Sequence, residues 1–176
     1  MFKVVTNYPV ALDSLDHTNP HGTANDNSSW PAFNAKLYDL FKNKISVLDL
    51  GCSGGKFVKD CLDDGHQAIG IEGSDYSKIR CRAEWATIPN NLFTADVTKP
   101  FQVTFNDQNV RFDVITGWEL LEHIPEKRIN DFLTNCLNHL NKNGLMIFSI
   151  SPNEEFWHVC VKEKEWWIKT FSKLGL

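Results

Sequence analysis

Five short apolar runs, Ile45–Leu50, Ala68–Ile71, Leu92–Thr94, Phe112–Thr116 and Leu145–Ile150, alternate along this chain with segments of helical periodicity. Strands that alternate with helices at this spacing join through crossovers, and crossovers make neighbouring strands parallel. The runs are predominantly apolar rather than alternating, as expected of strands covered on both faces. The intervening segments predict helices over Pro31–Lys42, Gly55–Asp64, Ser77–Ala86 and Glu126–Leu140, with a last helix over Lys162–Leu174. In the first, Phe33, Leu37, Leu40 and Phe41 recur at helical spacing, and Pro31 suits its first turn. In the fourth, Ile129, Phe132, Leu133, Cys136, Leu137 and Leu140 form an apolar face, which Asn143-Gly144 is expected to close. The expectation is an α/β fold: an open parallel sheet of about five strands with helices on both faces. At 176 residues the chain fits one domain with one core. Residues 1–44 form an N-terminal arm and helix, 45–151 the core, and 152–176 a C-terminal loop and helix. The stretch 17–29 is polar and reads as irregular.

Charge and cysteine usage narrow the function classes. The formal net charge is −4 and the isoelectric point about 5.8. No overall basic field is present to hold nucleic acid by neutralising phosphates, so nucleic acid is not the expected partner. No apolar run approaches the ~20 residues of a membrane-spanning helix. Residues 1–16 lack the basic start and apolar block of a signal peptide. Cys52, Cys61, Cys81, Cys136 and Cys160 are odd in number and contain no CxxC pair. That predicts reduced thiols and a cytoplasmic setting.

The first run ends in Asp49-Leu50-Gly51-Cys52-Ser53-Gly54-Gly55. A glycine-rich turn between strand and helix lets the backbone approach a ligand at the carboxyl edge of the sheet. By itself the turn also fits a dinucleotide enzyme, or a tight turn without a ligand. Glu72 closes the second run, seventeen residues past Gly55. A carboxylate there accepts hydrogen bonds from both hydroxyls of a ribose.

The successive segments VLDLGCSGG, GIEGSD, FTADVTKPF, FDVITGWELLEHIP and LNKNGLMIFSIS resemble, in order and spacing, the motifs of class I S-adenosylmethionine-dependent methyltransferases. The resemblance covers about residues 45–151 and implies the Rossmann-like methyltransferase fold with S-adenosylmethionine as cofactor. It implies that Asp49, Gly51, Cys52, Ser53 and Gly55 lie under the methionine moiety. Glu72 would hold the ribose, with Gly73 and Ser74 beside the adenine. Asp96 would take the adenine amino group, and Val97 would donate its backbone N–H to the ring. Gly117, Trp118 and Glu119 would line the sulfonium end. Ser53 departs from the family, which often has glycine there. The charge at Asp49 separates the cofactors: an acid would repel a pyrophosphate but attract an ammonium and a sulfonium. The G-x-G-x-x-G register of NAD enzymes is also missing.

Glu119, Glu122 and His123 stand at i, i+3 and i+4, so a helix from Trp118 to Ile124 would project all three from one face. Two carboxylates and an imidazole suit Mg²⁺ or Mn²⁺. Some methyltransferases acting on ribose or catechol-type hydroxyls resemble this segment and bind a metal with such a trio. His158 is a candidate fourth ligand. The favoured expectation is a metal-free site with His123, Glu119 and His158 as the catalytic set, either imidazole serving as general base. His17, His66 and His139 receive no role, and His21 is read as part of a lid.

The family's sheet ordinarily finishes with two antiparallel strands. Here the last helix is expected to leave no room for them, so a parallel sheet without any antiparallel hairpin is expected; a truncated gene, a naturally shortened fold and an edge covered by a partner or a homodimer stand as the competing explanations. The expected activity is methyl transfer to an oxygen or nitrogen of a small molecule or sugar. Two rivals stand beside it. One is a metal-assisted RNA ribose 2′-O-methyltransferase; the other is a non-catalytic cofactor-binding module of a complex.

Overall fold

The computed structural model of the protein describes residues 1–20 and 22–175. Strand β1 (Phe2–Thr6) precedes a one-turn helix α1 (Leu15–Thr18) and α2 (Pro31–Phe41). Then come β2 (Ser46–Leu50), α3 (Lys56–Asp63), β3 (Gln67–Glu72), α4 (Tyr76–Ile79) and β4 (Leu92–Thr94). Strands β5 (Phe101–Phe105), β6 (Gln108–Asn109) and β7 (Phe112–Gly117) lead to α5 (Ile129–His139), β8 (Leu140–Phe148) and α6 (Lys164–Ser172).

The main sheet has five strands in the order β4-β3-β2-β7-β8, and every neighbouring pair is parallel. The chain enters in the middle at β2, moves outward to β4, and returns to the other side of β2 at β7. That reversal leaves a crevice between the carboxyl ends of β2 and β7, where open α/β sheets bind ligands. Side chains leave the strands on both faces. Val47, Ala68 and Val114 pack with Leu37 of α2 and with Phe57, Val58 and Cys61 of α3. Leu48, Leu50, Ile69, Ile71 and Ile115 pack the opposite face against Phe132, Leu133 and Cys136 of α5 and Trp167 of α6. The expected sheet and its two helical layers are therefore present. No helix among the described residues is long and apolar enough to cross a membrane.

A second sheet departs from the expectation. Strands β1, β5 and β6 form an antiparallel sheet in the order β1-β5-β6. The expectation of no antiparallel hairpin anywhere therefore fails. The β5–β6 hairpin turns at Asn106 and Asp107, both left-handed with φ of 50° and 63°. That is the geometry of a two-residue type I′ turn. It lies outside the main sheet, which gains no antiparallel strand among the described residues.

Three local expectations also change. Ser77–Ala86 is not one helix. It breaks after α4, with Cys81 and Ala83 at φ 47° and 49°, and resumes as a 3-10 turn over Ala83–Ala86. The break turns Arg82 and Trp85 back toward the glycine turn: Trp85 Nε1 donates to the Ser53 carbonyl at 2.8 Å. Glu126–Arg128 forms a 3-10 turn before α5 rather than its first helical turn. Asn143-Gly144 does not close α5, which already ends at His139; the pair lies inside β8. A Cβ on Gly144 would stand 2.8 Å from the Asp113 carbonyl oxygen, so glycine serves close strand approach there.

Candidate active site

The site is built at the carboxyl ends of β2, β3 and β7. Gly51 leaves β2 at φ +72°, a conformation that costs glycine little. Its N–H bonds the Ile71 carbonyl at 2.8 Å, folding the turn back onto β3. Ser53 follows at φ 45° and donates its backbone N–H to Glu72 Oε2 at 2.8 Å. Gly55, also left-handed, opens α3. Cys52 is buried, and burial pushes its thiol well above the ordinary range. It is an inert packing group against Gly70.

Two carboxylates are buried under this turn: Asp49 is 1% exposed and Glu72 2%. Asp49 Oδ1 accepts from Thr116 Oγ1 at 2.7 Å. Burial pushes its pKa from 3.8 up to about 7, against the Thr116 hydrogen bond and helped by the negative charge of Glu72. Glu72 Oε1 accepts from the Ser74 N–H at 3.1 Å and stands 3.5 Å from Thr23 Oγ1.

The expected cofactor residues divide into groups. A cavity of about 170 Å³ is lined by Gly51, Gly73, Asp96, Val97, Leu120 and His123, together with Ala11, Ser14 and His17 of the arm. A second cavity, lined by Gly51, Ser53, Glu72, Trp118, Glu119 and His123, continues toward Thr23 and Asp26. Asp49, Cys52 and Trp118 share a third with Trp30 and Phe57. Asp96 is half committed, since its Oδ1 accepts from the Thr98 N–H and hydroxyl at 2.9 and 2.7 Å. Ser74 is buried behind Glu72. Gly117 ends β7 packed against Phe148 and Leu120. Trp118 forms a wall with Phe33, Phe57 and Trp30, at ring distances of 4.8, 5.4 and 6.0 Å.

The Glu-x-x-Glu-His segment is not the expected helix. Glu119 takes left-handed φ 48°, is exposed, and donates its backbone N–H to Ser149 Oγ at 2.9 Å. Only Leu121–His123 forms a 3-10 turn. Glu119 therefore does not share a face with its neighbours, and the expected four-ligand set loses that member. Glu122, His123 and His158 do converge, with ligand atoms within 4.8 Å of one another. Glu122 is fully buried: Oε1 accepts from the Ser151 N–H at 2.8 Å, while Oε2 has no hydrogen-bond partner among the described residues. Burial raises its carboxyl above the ordinary range. The His123 and His158 rings meet edge to face at 4.9 Å. Burial would lower the His123 imidazole, but Asp16 Oδ2, 3.2 Å from Nδ1, overcomes that and raises it. His158 Nδ1 lies 2.7 Å from the Asn153 carbonyl oxygen.

Sequence reasoning missed the arm. It dismissed His17, whose ring lies against Gly73 and leaves no room for a side chain there. Its Nε2 stands 4.0 Å from Glu72 Oε1. Ser53 Oγ donates to the Asp26 carbonyl at 3.0 Å, and Arg82 Nη2 to the Thr23 and Asp26 carbonyls at 2.5 and 2.7 Å. The Lys56 N–H donates to Asn27 Oδ1 at 3.0 Å. No periodicity marks such a segment, because its own backbone supplies the acceptors. The lid expected at His21 lies outside the described residues.

Comparison with known proteins gives the same picture. The family described as Methyltransferase domain matches residues 23–171. Ubiquinone biosynthesis O-methyltransferase of Histophilus somni is 26% identical over 132 residues, 72% of this chain and 54% of that protein. The enzyme of the same name from Pasteurella multocida is 28% identical over 137 residues, covering 72% and 55%. The chain thus spans about half the length of these curated relatives. Among solved structures, a SAM-dependent methyltransferase from Archaeoglobus fulgidus superposes with a TM-score of 0.60 at 20% identity, covering 82% of this chain and 66% of that one. A Burkholderia thailandensis 1,6-didemethyltoxoflavin-N1-methyltransferase, solved with that compound and S-adenosylhomocysteine, gives 0.54 at 18% identity, covering 75% and 56%. At these identities the structures establish the fold.

Proposed function

This chain belongs to the methyltransferase-domain family, matched over residues 23–171, and from that premise we propose that it transfers a methyl group from S-adenosylmethionine to an oxygen or nitrogen of a small molecule or sugar. One observation carries the reading. Two buried carboxylates, Asp49 of β2 and Glu72 at the end of β3, lie under a left-handed glycine turn beside the crevice between β2 and β7. Buried acids favour a cation over a pyrophosphate. The donor set fits: hydroxyl-accepting oxygens at Glu72, and an acid at Asp49 for positive charge. When bound, S-adenosylmethionine supplies a methyl carbon on a sulfonium that leaves as a neutral thioether.

The chain's own residues supply position and proton management. Gly51, Glu72 and the Asp96–Val97 loop would hold the nucleoside, and Trp118 would wall the methionine end. His123 would take the acceptor's proton in a transfer whose methyl carbon the bound cofactor would supply. Residues 1–176 act as one unit, with 1–44 capping the core of 45–151 and 152–176 completing the acceptor side. The five free thiols favour a reducing, cytoplasmic setting. Calorimetry with S-adenosylmethionine tests the reading. Saturable heat is expected, and the absence of heat with folded protein refutes it.

A second reading rests on Glu122 Oε2, which has no hydrogen-bond partner among the described residues. A divalent cation held by Glu122, His123 and His158 would satisfy that oxygen and orient an acceptor hydroxyl. With Glu119 outside the set, two imidazoles and one carboxylate suit Mn²⁺ or Zn²⁺ better than Mg²⁺. Equilibrium dialysis against Mn²⁺ or Zn²⁺ alone, with Glu122→Gln as control, tests it.

A further inference from the structure

Asp16 and His123 lie more than a hundred residues apart in sequence, yet the carboxylate Oδ2 stands 3.2 Å from the imidazole Nδ1, within ion-pair distance, while Nδ1 makes no hydrogen bond among the described residues. Asp16 is only 9% exposed. A carboxylate is not buried this far without groups that compensate its charge.

The backbone around Asp16 explains its aim. Helix α1 is a single turn in which the His17 and Thr18 N–H groups both bond the Ser14 carbonyl, at 3.1 Å each. That turn is fastened to the cofactor side of the site. The Ala11 N–H donates to the Gly73 carbonyl at 2.9 Å, and Ser74 Oγ donates to the His17 carbonyl at 3.3 Å. Downstream, the Thr23 and Asp26 carbonyls are gripped by Arg82. With the arm tied at these points, two adjacent side chains face two different parts of the site. His17 lies on Gly73 beside Glu72, and Asp16 reaches His123.

We propose that Asp16 is a positioning residue whose charge, facing Nδ1 of His123 at 3.2 Å, favours the proton on that nitrogen and so keeps the Nε2 lone pair available for the acceptor's proton. The inference rests on the reading of His123 as the general base. A neutral imidazole carries its proton on either nitrogen, and only the bare nitrogen can act as base. An ionised carboxylate is acceptor only, so it selects the tautomer with hydrogen on the nitrogen it faces. The edge-to-face contact with His158 holds the ring from another side. Because Asp16 arrives on the arm, the base is set only when that segment is seated over the cofactor cavity. Closure and proton transfer are thereby joined through one side chain.

The test uses the full chain labelled with ¹⁵N-histidine, its imidazole nitrogens read by long-range ¹H–¹⁵N spectra at alkaline pH, where the rings are neutral and the tautomer is defined. His123→Ala assigns the resonances by their loss. In the wild type, His123 is expected as the Nδ1–H tautomer. Asp16→Asn is expected to move it toward the Nε2–H form, and Asp16→Glu to restore the original pattern. Unchanged signals of His66 and His139 show that the variants are folded. An identical His123 tautomer in wild type and Asp16→Asn overturns the inference. Calorimetry on the same samples separates the two layers. If S-adenosylmethionine binds but the tautomer does not respond, only the role of Asp16 falls. If the tautomer responds but the nucleoside does not bind, the methyltransferase reading falls and takes the role with it.

Discussion

The backbone amide of Ser53 and the carboxylate of Glu72 are joined by a 2.8 Å hydrogen bond, so the glycine turn after β2 is pinned to the end of β3. Glu72 also accepts from the Ser74 N–H. One side chain therefore shapes the turn and presents oxygens to the cavity. Replacing Glu72 by Ala leaves two buried N–H groups without their acceptor, at about 1–3 kcal/mol each. Glu72→Ala is expected to abolish S-adenosylmethionine binding in calorimetry and to lower Tm. Unchanged affinity would remove the ribose assignment.

Asp49 makes pH a probe of the same site. Its folded pKa of about 7 lies above the 3.8 of an ordinary Asp, so between these values the folded state binds the extra proton. Stability then falls as pH rises from about 4 to 7, by on the order of 4 kcal/mol. Asp49→Asn should flatten that part of the denaturant-midpoint profile. A cationic ligand needs the ionised form, so wild-type affinity should weaken as pH drops below about 7. If both profiles match those of Asp49→Asn, the carboxylate does not face the ligand's charge.

His139 works in the opposite direction. It is buried, its ring is stacked on Phe101 at 4.4 Å, Nε2 accepts from the Val103 N–H at 3.3 Å, and Nδ1 lies 2.8 Å from the Asn135 carbonyl oxygen. Burial lowers its pKa, opposed by the Asn135 carbonyl and assisted by Arg111. The unfolded chain takes up the proton more readily, so stability is lost as pH falls below about 6.5. Thermal melts should show a smaller acid loss in His139→Gln than in wild type.

Ser53 trades strain against tethering. Its φ of 45° costs a residue with a Cβ roughly 1–2 kcal/mol. Its hydroxyl bonds the arm at the Asp26 carbonyl. Ser53→Gly should relieve the strain but loosen the arm. Global Tm is expected to move little, while limited proteolysis within residues 17–30 should quicken. Equal cleavage rates would show that the hydroxyl does not hold the arm.

His123→Ala separates binding from chemistry. Calorimetric affinity for S-adenosylmethionine is expected to stay within about twofold, while kcat for methyl transfer falls by roughly 10²–10⁴, the usual contribution of a positioned base. Wild-type kcat in this variant would exclude the imidazole as base.

The parallel sheet was legible because its strands are buried on both faces and read as predominantly apolar runs without alternation, from Val47–Leu50 to Phe112–Thr116. The short strands of the second sheet were not. Phe2–Thr6 is only half-buried and pairs with Phe101–Phe105, about a hundred residues away, so nothing local announces the pairing. Its one clear signal was Asn106-Asp107 between FQVTF and QNVRF. At the site, the glycine turn and Glu72 carry their roles in residue type and spacing. Glu119 misled because i, i+3, i+4 spacing presumes a helix, and its left-handed backbone breaks that geometry. Asp16 and His17 were invisible because their placement depends on hydrogen bonds made by Gly73 and Ser74, which only the folded chain brings near.

The arm is stitched down at His17, Asp26 and Asn27 by Ser74, by Ser53 and Arg82, and by the Lys56 N–H. Anything enclosed beneath that strap departs only after several of those stitches have parted together. Residence time is then governed by how often these polar ties part together, not by how tightly the floor grips. In such an architecture the tempo of successive cycles belongs to the cover, and loosening it should exchange retention for speed.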